Sequence, residues 1–493
     1  MKSLIIKSED QGKVVAVCLL CTLLTIMPVG YHIVVLNVPS TVIQNFYAEA
    51  FREGLGVELS ARALSILWSL TIASQAIGAL IGCSLVSSLA PMGSKVVILT
   101  VNNCILAAGS ILMATSYYFS FPPIFLIGRM MTGVYSGIAC AFVPLFVQQI
   151  VPKNIKGSLS CFLHIAVCFG SSLGAVLSLP FVLGSATSWP ILVSLPAIFG
   201  IVLMFASSYI PDTPNTLLQQ GKYTKAIESI RFYYDIACDD EDEAIGMYWD
   251  MVPEMPTQLT FWEAWRDGAV RGGMLLGMMV SAAQIFSGSM VSISYSTVMF
   301  DAVAFMDFLV PFLPALGSIL SIVLTIPALH MVESKGRRPL LLKTLILCVI
   351  SNIFFLIFTL VSQVSESLWA SWGFALAFLM YGVGYNLGVG PVAYFLPAEL
   401  VPPEAASASL GAAVAVNWFC TSLTTLFFYP LSVSIGGWSY IIFIVPTSLF
   451  LLILWPLLPE TKFHYKEDPL EARLLYDLGP TLPPYGSLNT SLF

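Results

Sequence analysis

The chain has 493 residues, 57% hydrophobic and only 10% charged, with a formal net charge of −7. Its mean hydropathy of +0.86 excludes an ordinary soluble domain, which is nearer half apolar and a quarter charged. No basic patch with interleaved aromatic residues appears, so no nucleic-acid partner is expected.

The chain begins MKSLIIKSEDQGK and then runs apolar over residues 14–36. A polar, mixed-charge start before so long a run does not fit a signal peptide, so it reads as a first membrane span. Eleven further apolar runs follow, at 62–86, 96–117, 122–147, 158–181, 187–210, 272–298, 306–331, 340–362, 369–397, 405–431 and 436–458. About 20 such residues cross a bilayer as a helix. The expectation is an all-α membrane protein with twelve transmembrane helices and the lipid bilayer as its surroundings. The spans divide six and six: an N-terminal half at 1–210, a linker at 211–271, a C-terminal half at 272–460 and a tail at 461–493. Two such halves suggest a pseudo-symmetric transporter with its site between them at mid-membrane.

Within the first half, Gly78 and Gly82, Gly133 and Gly137, and Gly170 and Gly174 are spaced four apart, a pattern that lets helices pack closely. In the linker, Thr213 can cap a helix that Pro214 opens. Tyr223, Ala226, Ile227 and Ile230 fall on one helical face. Short helices lying against the membrane end of the bundle are expected there.

An even span count puts both termini on one side. Of the 21 Lys and Arg residues, all but Arg52, Arg62 and Arg129 fall in the terminal segments and in alternate loops. The positive-inside rule makes that side the cytoplasm. The dense charges of ESKGRRPLL, Glu333, Lys335, Arg337 and Arg338, then lie in a short cytoplasmic loop. Of ten cysteines only Cys238 lies away from the spans; buried cysteines act as small hydrophobes, so neither disulfides nor a metal site is expected. No phosphate loop, ligand cluster or nucleophile–base pair points to an enzyme, and no cofactor is implied. The glycines of GVGYNLGVG sit inside a span, the wrong place for a nucleotide loop.

Seven stretches occur in a telling order: GRMMTGVYSG, VPKNIKGSLSCFLH, PDTPNTLLQQGK, QIFSGSMVSISYST, ESKGRRPLL, GVGPVAYFLPAEL and LPETK. With GYHIVVLNVP in span one, they resemble the sugar-porter family of the major facilitator superfamily, in particular the facilitative hexose carriers of animals. The resemblance covers nearly the whole chain. It implies a major facilitator fold, a small solute such as a hexose, alternating access without a covalent step, and residence at the plasma membrane. A monomer is the working expectation.

In that family, loop cations pair with carboxylates at the cytoplasmic ends of neighbouring helices and latch one conformer. The resemblance assigns this role to Glu333, Arg337, Arg338 and Glu399, and to Lys156 and Arg129 in the first half. Departures weaken the latch: only Lys95 follows span two, and Gln149, Asn215, Ala406 and Phe463 replace expected motif residues.

A sugar site needs neutral donors and acceptors and aromatic faces, and polar groups inside a span usually face a cavity or a partner. Gln284, Val291 and Tyr295 are spaced to share one helical face. By resemblance, Gln284, Asn417 and Trp418 match sugar-binding residues and Tyr295 a gating tyrosine. His164, Ser321, Asn386 and Tyr394 stand where the family has other polar or aromatic groups, and Ile285, Met290 and Ser294 replace further ones. Each lost hydroxyl contact costs about 1 kcal/mol, so weak glucose binding or a less polar solute is expected. His32 stands where proton-coupled members carry an aspartate beside Arg129, so uncoupled transport is expected. Two other readings remain at this point: a carrier for another small solute, such as urate, ascorbate or a polyol, and a sugar receptor that does not transport. Tyr485 and Leu488 have a sorting-signal spacing, and the Asn489 sequon falls in the cytoplasmic tail.

Overall fold

The computed structural model describes residues 12–89, 92–151, 156–234, 245, 246, 248, 259–365 and 368–461. The tail signals at Tyr485 and Asn489, and Cys238 with the acidic run after it, lie outside them. Ten helical stretches are long and apolar enough to cross a bilayer; Pro403–Leu457 holds two spans, and the shorter Phe162–Leu177 completes twelve. The first six are built on Gly12–Val34, Ala61–Leu89, Asn102–Tyr118, Pro122–Ile150, Lys156–Leu177 and the pair Trp189–Ser194 and Pro196–Ala206. The second six begin with a broken span seven, followed by Leu313–Lys335, Arg337–Ser365, a bulged span ten, Ala406–Ile435 and Ile441–Leu457. The side of the bundle on which Gly12 and Thr461 lie is called proximal below, and the opposite side distal.

The paired glycines explain how the first half packs. A Cβ on Gly78 would lie 2.0 Å from the Met130 carbonyl oxygen, and one on Gly133 2.1 Å from that of Gln75. Spans two and four thus cross backbone to backbone at both Gly78/Gly82 and Gly133/Gly137. Spans one and five do the same, with Gly170 against the carbonyl of Met27 and Gly30 against that of Val167. Such approach is possible only without side chains, and it strengthens association where lipid offers no hydrophobic drive.

Span seven is not the single helix that its apolar run suggests. It consists of Gly268–Phe286, Ser289–Ser294 and Ser296–Asp301. Gly288 makes the first break in the left-handed region, φ 98°, where a side chain would be strained. The carbonyls freed by the break are satisfied from neighbouring spans: Asn352 donates to Ser287 O at 2.8 Å and Thr447 to Phe286 O at 2.7 Å. Buried polar partners of this kind are what make broken helices tolerable in a membrane. Span ten contains a π-turn, Tyr385–Val389, between Leu368–Gly384 and Gly390–Glu399. Asn386 supports it by donating to the Gly382 carbonyl at 2.8 Å.

Two shorter regions cover the ends. On the distal side, Ser40–Leu55 forms a further helix between spans one and two. Its residues Ile43, Tyr47 and Ala50 are buried at i, i+4 and i+7, and Gly56 closes it at φ 66°. On the proximal side, Thr213 caps Pro214–Gln219 and a second helix covers Tyr223–Tyr234. Ala226, Ile227 and Ile230 are buried as their spacing predicts, but Tyr223, the first residue of the helix, is 59% exposed. Tyr234 bonds the Ile150 carbonyl, tying this helix to the first half. The capped turn Phe261–Arg266 belongs to the second half, where Leu259 N donates to Glu404 O.

Candidate functional site

At mid-membrane the break in span seven, the π-turn in span ten and the middle of span eleven meet. Gln284 is 2% exposed and lies one turn before the break. Its Oε1 accepts from Asn417 Nδ2 at 2.8 Å. Its Nε2 donates to Tyr385 Oη at 3.2 Å and weakly to Gly390 O at 3.5 Å. Asn386, next along the π-turn, donates to Ser321 Oγ of span eight at 3.0 Å. Span five presents His164 from the other half, its ring 5.7 Å from Tyr394 and 6.4 Å from Tyr385. Gly390 leaves it that room, since a Cβ there would stand 3.1 Å from His164 Cε1. His164 Nδ1 is buried without a partner among the described residues. The result is a run of neutral donors, acceptors and ring faces at the seam of the two halves, suited to a polar, uncharged solute.

Gln284, Asn417, Asn386, Ser321, His164 and Tyr394 are thus near neighbours. Tyr295 and Trp418 lie elsewhere. Because the helix breaks after Gln284, the one-face spacing of Gln284, Val291 and Tyr295 does not survive. Tyr295 is fully buried, donating to Thr425 O at 2.9 Å and stacking on Tyr429. Trp418, next to Asn417 in span eleven, lines a cavity with Gln75, Arg129, Ser294, Thr421 and Thr425. Tyr385 escaped the sequence reading, although its place beside Asn386 in GVGYNLGVG was a signal.

The two ends of the bundle differ. Distally, Asn37 at the end of span one grips span seven: its Nδ2 donates to Ile293 O at 2.8 Å and Ser296 Oγ at 2.7 Å. Its Oδ1 accepts from Thr297 N at 3.2 Å and Thr297 Oγ1 at 2.8 Å. Ser294 Oγ donates to Ile33 O at 3.2 Å. These side-chain hydrogen bonds join the two halves at this end, so this conformer is closed distally.

Proximally, Arg337 Nε and Nη2 approach the two oxygens of Glu399 at 3.3 and 3.4 Å. Thr461 also donates to Glu399, at 2.6 Å, and Glu460 accepts the Arg337 and Arg338 amides at 2.9 and 3.2 Å. Gly336 at φ 88° makes the turn that brings them together. The Arg338 guanidinium donates to Trp455 O at 2.8 Å. The side chains of Glu333 and Lys156 lie outside the description. In the first half, Asp212 accepts from Thr213 N at 2.8 Å beneath Gly93, where a Cβ would meet its Oδ2 at 2.6 Å. Burial raises the Asp212 carboxyl above the ordinary range, against the pull of the Thr213 amide and Lys95.

The sequence profile of the family described as "Sugar (and other) transporter" matches residues 17–468. Among curated proteins, the chain is 24% identical to mouse solute carrier family 2, facilitated glucose transporter member 7, over 88% of this chain and 84% of that protein. It is 26% identical to the rat member 3, over 90% and 89%, and 25% identical to facilitated glucose transporter protein 1 of Caenorhabditis elegans, over 88% and 85%. Among solved structures, the proton:xylose symporter XylE bound to 6-bromo-6-deoxy-D-glucose superposes with a TM-score of 0.71 at 19% identity, over 92% of this chain and 97% of that one. The inward-open form of the xylose transporter XylE from E. coli gives 0.72 at 21% identity, over 94% and 99%. With the family profile spanning all twelve helices and this fold beneath it, the chain belongs to the Sugar (and other) transporter family, as a multi-pass membrane protein of the major facilitator fold.

Proposed function

We propose that the protein is a facilitative carrier of a hexose or a related sugar, which it passes across the membrane by alternating access. The observation that carries this reading is the Gln284–Asn417–Tyr385 cluster, set at the seam of the halves opposite His164 and Tyr394. In the distally closed conformer these groups bond one another. When the halves part, sugar hydroxyls take the place of the internal bonds and a ring face meets the sugar's C–H surface. The exchange of like bonds leaves a small net gain, since an intramolecular hydrogen bond is worth only about 1 kcal/mol net, and weak binding follows. Arg337 and Glu399 would hold the proximal ends of spans nine and ten, with both termini cytoplasmic and the carrier in the plasma membrane. His32, with no carboxylate partner among the described residues, supports transport without proton coupling.

The test is uptake of labelled glucose and fructose into proteoliposomes, with and without a pH gradient. Saturable uptake that ignores the gradient and is lost in Gln284→Ala is the expected result. Folded protein without saturable flux of either sugar would reject the reading.

A further inference from the structure

We propose that the cavity beneath the distal clasp is a binding site for a small monovalent inorganic anion of halide size, held by Arg129. Arg129 lies about two turns into span four from its distal end and is only 1% exposed. Its Nε and Nη1 have no hydrogen-bond partner among the described residues. The groups that feel its charge are His32, Tyr47 and Tyr295, none of them an anion at neutral pH. The carboxylates of the spanning helices lie at their ends, Glu333 and Glu399 proximally and Asp301 distally. A buried cation of this kind is costly unless a counter-charge compensates it.

The surroundings say which counter-charge fits. Arg129 opens on the cavity shared with Gln75, Ser294, Thr421 and Thr425. Among the described residues the Thr421 hydroxyl is buried without a partner, and the Gln75 Nε2 makes a long bond of 3.5 Å to Ser136. A guanidinium with spare hydroxyl and amide donors makes an anion cradle. The space open to the centre of a water-sized sphere is about 10 Å³, roughly one water, which admits a halide and excludes a sugar or an organic acid. Ile33, Ile72 and Met290 complete the wall and favour a weakly hydrated ion. The cavity is lined from both halves, so a bound ion ties them together directly under the Asn37 clasp and stabilises the distally closed conformer.

The experiment is thermal unfolding of the purified carrier in sodium chloride, bromide, gluconate or glucuronate, each at about 150 mM; a ligand of the folded state raises the midpoint as the logarithm of one plus its concentration over its Kd. Chloride and bromide are expected to raise it by about 2 °C or more over gluconate, by an amount that grows logarithmically with their concentration. Arg129→Gln should abolish the shift while being no less stable than the parent in gluconate, since it removes an uncompensated charge. Thr421→Val, which keeps the charge, should need several-fold more chloride for the same shift. Equal midpoints in chloride and gluconate, a full chloride shift in Arg129→Gln, or a shift with glucuronate alone would each overturn the proposal. The readout needs no sugar flux, so it stands or falls separately from the transport reading.

Discussion

Gln284 uses both ends of its side-chain amide inside the protein, accepting from Asn417 and donating to Tyr385. A solute that binds here competes with those bonds, so the two residues cannot act independently. Gln284→Ala and Asn417→Ala are each expected to weaken sugar affinity about fivefold, one hydrogen bond's worth, and the double mutant by much less than the product. Independent multiplication of the two effects, measured by competition against labelled sugar, would separate them. Asp212 makes a different residue-scale prediction. Its carboxyl is raised by burial, so the folded state favours the protonated form. The stability it contributes is present below the ordinary carboxylate pKa of about 4 and is lost as pH rises through the raised value. Asp212→Asn should therefore remove a fall in unfolding temperature on the alkaline side of about pH 4. Parallel pH profiles for the two proteins would contradict this. At this scale the sequence revealed which residues are polar in an apolar setting, but not their partners: Gln284, Val291 and Tyr295 have a helical spacing that the bend at Gly288 cancels.

The elements were the most legible part of the chain, because twelve apolar runs have no other economical reading. What was hidden were their irregularities. Gly288 and the glycines of GVGYNLGVG look the same in a sequence as Gly78 or Gly133, though the first breaks a helix and the last two let helices touch. Only the φ of Gly288 and the partners of the freed carbonyls, Asn352 and Thr447, tell them apart. The paired glycines yield a sharp expectation. Gly133→Ala would put a Cβ 2.1 Å from a backbone oxygen of span two, so whole helices must separate. Overpacking of this kind costs about 1–3 kcal/mol, which should appear as a lower unfolding temperature. Gly411, with nothing within 4 Å of a Cβ, is the control, and Gly411→Ala should leave the midpoint in place.

At the scale of the whole molecule, the carrier works only if neither end is held shut too firmly. The distal end is held by Asn37, whose side chain joins span one to Ile293, Ser296 and Thr297 of span seven. The proximal Arg337–Glu399 pair joins spans nine and ten within one half, and its side chains are 15% and 21% exposed. In so largely buried a pair the Coulomb gain is offset by the cost of desolvating both charges. The clasp at Asn37 is buried, spans the seam and comprises several bonds, so it should dominate the conformational balance. Asn37→Ala is expected to shift the population toward the distally open form by about tenfold, the equivalent of one to two net hydrogen bonds. A cysteine placed at Thr425, on the cavity wall beneath the clasp, should then react about tenfold faster with a membrane-impermeant thiol reagent from the distal side. Glu399→Gln should change that rate little, since both partners belong to one half, while lowering the unfolding temperature by leaving the Arg337 charge unpaired. Equal labelling rates with and without Asn37 would mean that apolar packing around Val291 and Tyr295, not the clasp, keeps the distal side closed.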